Sequence, residues 1–251
     1  MDTIILFGQE FVSTNIPSVI SLLDDYIEQK RSHMVCICNV HTTMMAYKNK
    51  SSHQYLKKAS ISAMDGQPLV WLSRFLGFPE SERVAGPDLM QEVCRISPDK
   101  GYRHYFYGGA EGIPERLKSI FEEKYPGIQI VGTYSPPFRP LTREEDEMVV
   151  ELINDAKPDF LWVSLGAPKQ EQWIADHLDR IRAPVQVGVG AAFDFFTGNV
   201  LRAPNWMQRA GLEWLYRLLK DPRRLWKRYF IYNTMFLFCL IPEMLRHKLS
   251  K

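Results

Sequence analysis

Apolar positions along this chain fall into short runs, separated by stretches in which they recur every three or four residues. Seven runs read as strands: Ile4–Phe7, Met34–Cys38, Ile61–Met64, His104–Tyr107, Ile128–Thr133, Phe160–Leu165 and Val185–Val189. The intervening stretches carry the helical period. Ile16–Lys30 gathers Ile20, Leu23 and Ile27 on one face, and Ile113–Lys124 gathers Leu117, Ile120 and Phe121. Glu144–Ala156 does the same with Met148, Leu152 and Ile153, and a further helix is expected over Leu89–Ile96 with Asp88 as its cap. Strand–helix alternation of this kind predicts an α/β fold with a largely parallel sheet covered on both faces. Ligands of such sheets bind outside the carboxyl ends of the strands.

The residues that follow the strands are polar or glycine. Asn39-Val40-His41-Thr42 follows the second run, Asp65-Gly66 the third and Gly108-Gly109 the fourth. Gly166-Ala167-Pro168-Lys169-Gln170-Glu171 follows the sixth, and the last run leads into Gly188-Val189-Gly190 and on to Asp194. Asp65 is either an Asp-Gly turn residue or a general base on the rim of the sheet. Gly108, Gly109 and Gly112 either relieve crowding at a strand–helix turn or bring backbone N–H groups to a diphosphate. Arg83 offers a planar fork to a phosphate, or is a surface residue. Gly188-x-Gly190 lacks the third glycine of a dinucleotide fingerprint, and too little chain follows it for the rest of such a unit. That argues against a nicotinamide or flavin enzyme.

Composition adds little, and charge adds more. Apolar residues make up 45% of the 251 and charged residues 24%, an ordinary globular balance. The net charge of +2 hides a division: residues 215–251 carry nine Lys/Arg against Asp221 and Glu243, a net +7 that leaves −5 for the rest. Aromatics crowd the same tail, from Trp206 and Trp214 to Phe236 and Phe238. Its apolar run, Tyr229–Pro242, is about fourteen residues against the ~20 that span a bilayer. Residues 206–251 are therefore expected to lie in the interface of an anionic membrane, the competing reading being a helix packed on the domain or in a dimer contact. Met1–Val12 lacks the marks of a signal peptide, and the four cysteines show no zinc spacing. No His spacing suits a metal and no Asp-x-Asp occurs.

Taken in order, these motifs are specific. They are joined by Arg83-Val84-x-Gly86-x-Asp88-Leu89, Arg202-Ala203-Pro204-x-Trp206, Gly211-Leu212-Glu213-Trp214-x-x-Arg217-Leu218 and Asp221-Pro222-x-Arg224. The chain resembles the WecG/TagA/CpsF family of bacterial glycosyltransferases from about residue 4 to residue 230. The resemblance implies a Rossmann-like core over residues 1–200 and a membrane-associating appendage over 201–251. It implies an inverting, metal-independent transfer of a hexose-type sugar from a UDP-sugar to an undecaprenyl-diphosphate-linked acceptor, at the cytoplasmic face of the membrane. It makes Asp65 the candidate base. Asn39 and Thr42 then lie near the sugar or the nucleotide, and Arg83, Gln170, Arg217 and Arg224 near the diphosphate, with Arg223 and Arg228 equally placed to serve. Gly108, Gly109, Gly188 and Asp194 complete the expected donor site. No cofactor and no nucleic acid is expected, self-association in solution is left open, and a non-catalytic nucleotide-sugar binding protein is the competing class.

Overall fold

The computed structural model describes residues 1–249. Its strands are β1 (Thr3–Leu6), β2 (Gln9–Val12), β3 (His33–Cys38), β4 (Ile61–Met64), β5 (Arg103–Gly108), β6 (Gln129–Tyr134), β7 (Phe160–Ser164) and β8 (Val185–Gly188). Helices α1 (Ile16–Gln29), α2 (Val40–Lys48), α3 (Lys50–Leu56), α4 (Gln67–Phe75), α5 (Gly86–Lys100) and α6 (Ile113–Lys124) occupy the first half. They are followed by α7 (Arg143–Ala156), α8 (Lys169–His177), α9 (Ala192–Phe196), α10 (Asn205–Arg209), α11 (Glu213–Lys220) and α12 (Pro222–Leu249).

Six strands form one parallel sheet in the order β4-β3-β8-β7-β5-β6. Side chains alternate across it as a period of two demands. On β3, Met34, Cys36 and Cys38 enter one core with α2, α4 and α8, while Val35 and Ile37 enter the other with α1, α5 and α6. The same division separates Leu161 and Val163 from Phe160 and Trp162 on β7. All six strands therefore end at one rim, which sets Asn39, Asp65, Gly108, Gly166 and Gly190 near one another.

Gly108 shows how tightly that rim is built. Its φ is +111°, and a Cβ there would lie 2.6 Å from the Ser164 carbonyl oxygen on neighbouring β7. Gly108→Ala is expected to lower unfolding stability by about 3 kcal/mol, from backbone strain plus the clash. A urea titration that leaves the midpoint unchanged would contradict this.

Three expectations need correction. Ile4–Phe7 does not join the parallel sheet: β1 pairs antiparallel with β2 through the two-residue turn Phe7-Gly8. A turn that short permits only antiparallel pairing, and both residues have the positive φ of a hairpin turn. The buried stripe of α7 is Val149, Val150 and Ile153, whereas Met148 and Leu152 are exposed, one step around the helix. Asp88 does not cap α5, because the helix begins three residues earlier, with Pro87 in the first turn and Ala85 at the cap position. Asp88 is held instead by a two-point ion pair with Arg202.

The basic, aromatic tail is a single long helix, α12, packed along α2. Leu225, Tyr229 and Phe236 are buried, and Phe236 joins the core of the hairpin side. Phe7 packs on it with ring centroids 5.5 Å apart, and Glu243 accepts the Phe7 backbone N–H at 2.8 Å. A bulky residue at φ 52° is unfavourable in isolation. Here α12 supplies its contacts. The opposite side of α12 exposes Trp226, Phe230, Phe238, Ile241 and Leu245. Among the described residues no helix is long and apolar enough to cross a membrane.

Candidate active site

Two cavities meet at the rim of the sheet. The larger, about 1830 Å³, is lined by the residues after β3, β4, β5, β7 and β8 and by α11 and the start of α12. The smaller, about 640 Å³, lies between α4, the α10–α11 turn and α12. Asn39, Asp65, Arg83, Glu213, Arg217 and Arg228 border both. The reacting centre of a two-substrate reaction would sit at such a boundary.

Asp65 stands at the end of β4, its backbone N–H bonded to the Cys38 carbonyl oxygen at 2.9 Å. Arg83 donates to one of its carboxylate oxygens from Nε at 3.1 Å and Nη2 at 2.9 Å, and to its backbone oxygen at 2.6 Å. The same Nη2 reaches Glu213 on α11 at 2.7 Å. Burial pushes the Asp65 carboxyl above the usual aspartate range, Arg83 pulls it back, and Glu213 pushes it up again. The two carboxylates outweigh the desolvation of Arg83, whose pKa rises above its ordinary value. A carboxylate made more basic but held charged by one arginine has the properties of a general base. Arg202 also faces Asp65 and lowers its pKa. Glu213→Gln is expected to move the acid limb of the kcat/KM profile to lower pH, because Arg83 would then neutralise Asp65 alone. An acid limb unmoved in that variant would show that Glu213 does not tune the base.

Asn39 and Thr42 form a capping box at the start of α2. Asn39 Oδ1 accepts the Thr42 N–H at 3.2 Å, and the Asn39 N–H is donated to Thr42 Oγ1 at 2.9 Å. Both line the large cavity. The Asn-x-x-Thr spacing is the sequence signature of this cap, so structure alone accounts for much of the pair.

Gln170, at the start of α8, is buried beneath Gly188, where a Cβ would lie 2.7 Å from its Nε2. Its Oε1 accepts the Gly190 N–H at 2.9 Å and its Nε2 donates to Glu171 at 3.0 Å. Gly188 thus exists to admit a side chain that pins the loop after β8. Gly109 lines the cavity, but its N–H is donated to the Ser164 carbonyl at 2.9 Å. It is therefore not free to receive a diphosphate. Gly108 does not line the cavity. Asp194, in the first turn of α9, faces it.

The tail supplies the cations. Arg217, Lys220, Arg224 and Arg228 line the large cavity, whereas Arg223 is exposed and does not line it. Arg224 pairs with Asp221, and Arg217 lies over the Phe195 ring at 5.8 Å. Arg228 is the informative member. Burial lowers its pKa, Arg217 and Arg224 lower it further, and its Nε is buried without a hydrogen-bond partner. Three cations held together against their repulsion, one of them desolvated, define a site prepared for a polyanion.

Sequence reasoning missed Glu171 and Glu213 as site residues and gave Arg228 no precedence over Arg223. Glu171 has one carboxylate oxygen buried without a partner, and burial raises its pKa. His41 borders the smaller cavity, and burial together with Arg228 pushes its pKa down to about 3. Glu213, in Gly-Leu-Glu-Trp, Glu171, in Pro-Lys-Gln-Glu, and His41, in Asn-Val-His-Thr, each stand in a motif, whereas the choice of Arg228 over Arg223 depends on helix packing. Among the described residues no group of three or more His, Cys, Asp or Glu side chains could hold a metal.

With that geometry in place, comparison with known proteins is specific. Residues 4–250 match the model of the glycosyl transferase WecG/TagA/CpsF family. The N-acetylglucosaminyldiphosphoundecaprenol N-acetyl-beta-D-mannosaminyltransferase of Bacillus subtilis strain 168 is 33% identical over 229 residues, 91% of this chain and 87% of that protein. The protein of the same name from Bacillus spizizenii is 34% identical over 220 residues, covering 87% and 83%. That from Staphylococcus aureus strain MW2 is 28% identical over 227 residues, covering 89% and 85%.

Proposed function

The chain belongs to the WecG/TagA/CpsF family of glycosyl transferases, and on that premise we propose that it moves a hexose-type sugar from a UDP-sugar to an undecaprenyl-diphosphate-linked sugar. The observation that carries this reading is Asp65 at the boundary between an arginine-lined cavity and a mostly apolar one. The donor occupies the larger cavity and the acceptor hydroxyl meets Asp65. As that oxygen attacks the anomeric carbon, Asp65 takes its proton and the bond from carbon to the β-phosphate oxygen breaks on the opposite face. The relatives are named for a β product, and from an α-linked nucleotide donor a β product requires inversion. The leaving diphosphate gains charge that Arg217, Arg224 and Arg228 stabilise, in place of a divalent ion. Asn39, Thr42, Gln170, Gly188 and Asp194 shape the donor pocket around it.

The exposed apolar side of α12, flanked by Arg223 and Lys227, suits the interface of an anionic membrane, where a lipid-linked acceptor resides. We place the enzyme at the cytoplasmic face as a peripheral protein on this ground.

Transfer is tested with N-acetylglucosamine on a polyprenyl diphosphate as acceptor and UDP-N-acetylmannosamine, UDP-glucose or UDP-glucuronic acid as donor, each with and without EDTA. The expected result is UDP release with the first donor, dependent on acceptor and unchanged by the chelator. Donor binding without any acceptor-dependent UDP release would favour a non-catalytic binding protein, and loss of activity in EDTA would overturn metal independence.

A further inference from the structure

The smaller cavity differs in kind from the larger. Asp65, Arg83, Arg217 and Arg228 stand at its inner end. Beyond them its walls are almost wholly apolar: Trp71, Leu72 and Phe75 from α4 face Leu237, Leu240 and Met244 from α12. The mouth is greasy as well as the interior, since Trp71 is 50% exposed, Phe75 64% and Leu237 65%. In a freely dissolved protein such an opening is costly, and an apolar patch of this kind normally has an occupant. The α10–α11 turn is built around one wall: Gly211, at φ +70°, leaves room for the Trp71 indole 3.0 Å from where a Cβ would stand.

We infer that this groove is the acceptor site, and that it holds the first isoprene units of a polyprenyl diphosphate between α4 and α12. The inference rests on the proposed function and adds to it the path of the lipid. Three features identify the occupant. The groove is continuous with Asp65, so a sugar at the carboxylate would trail its lipid into these walls. Arg217 and Arg228 border both cavities, which gives the acceptor diphosphate positive charge beside the apolar channel. Leu237, which lines the groove and is exposed, stands next to Phe238 and one turn before Ile241 on the exposed side of α12, so the rest of the chain has a path into the apolar layer that this helix meets. An apolar peptide would fit the walls, but it would bring no sugar hydroxyl to Asp65 at the groove's end.

The test uses the full chain in detergent with a farnesyl diphosphate bearing a diazirine near its ω end. Photolabel is expected on residues 67–76 and 236–244, with competition by unlabelled farnesyl diphosphate at concentrations at least about ten-fold lower than by farnesol. Label on other segments, or equal labelling by a diazirine fatty alcohol, would overturn the proposal. Trp71→Ala and Leu237→Ser alter exposed side chains and leave the core intact. Each is expected to raise KM for the prenylated acceptor about ten-fold while leaving KM for the donor unchanged. Wild-type acceptor KM in both variants would also overturn it. Labelling requires no turnover, so label in the groove of an inactive protein would support the lipid path even where the transfer reaction fails.

Discussion

Asp65→Asn is expected to lower kcat by about three orders of magnitude while changing the donor dissociation constant little, since general base catalysis contributes on the order of 10²–10⁴ in rate. The substitution is nearly isosteric. Asn Oδ1 can still accept from Arg83, so the ties now at 2.9 and 3.1 Å have a counterpart in the variant. What is lost is the ability to take a proton. The wild-type profile carries a second signature: activity falls as pH drops through the Asp65 pKa, because the protonated acid cannot act as a base. Burial has raised that pKa, so the acid limb lies above the usual aspartate range. In Asp65→Asn this limb should vanish from the residual activity. Near-normal kcat, measured by UDP release with saturating acceptor, would remove Asp65 from the mechanism.

The second large effect is expected from removing Arg217 and Arg228 together. Loss of one preorganised donor to a developing anion costs about 10²–10³ in rate, so the double alanine variant should lose at least about 10³ in kcat. Stability should move the other way or not at all. Arg228 has no partner for its buried Nε, and Arg217 and Arg224 both repel it. The resting protein therefore gains little from them, and relief of repulsion offsets the lost contacts. A thermal melt at or above the wild-type midpoint, together with a collapsed kcat, is the expected pair of results. A loss of less than ten-fold would mean that the leaving group is stabilised elsewhere.

These two groups of residues were legible to different degrees. Asp65 could be found because it terminates an apolar run that must be a strand, and parallel strands all end on one edge. The same logic found Gly108, Gln170, Gly188 and Asp194. It did not assign their roles. Gly108 is explained by Ser164, Gly188 by Gln170, and the Gly109 amide by a backbone acceptor, and none of these contacts is local in sequence. As sequence, the glycine-rich turn admits either close packing or an approaching phosphate, and in the structure the approaching group is the protein itself.

The tail was half legible. Its charge and aromatic content mark it as different from the rest, and its length rules out a comfortable membrane span. Which face packs and which is exposed depends on α2, on the Phe7 turn and on the boundary of two cavities. Arg228 and Arg223 are indistinguishable as sequence but stand five positions apart on one helix, about 140° around its axis. One is thereby turned into the site and the other into solvent.

By itself the sequence determined the parallel α/β core, the rim where chemistry gathers, the basic tail and the family. These follow from local period, composition and ordered motifs, each of which a chain carries without folding. Only the tertiary structure decided that Glu213 and Asp65 share Arg83, that Arg228 is the desolvated cation, and that an apolar groove runs from Asp65 toward the exposed side of α12. Arg83 reaches Asp65 across 18 positions and Glu213 across 130, contacts fixed by the packing of helices on a sheet. Electrostatic and burial energies depend on distance in space, which periodicity does not encode.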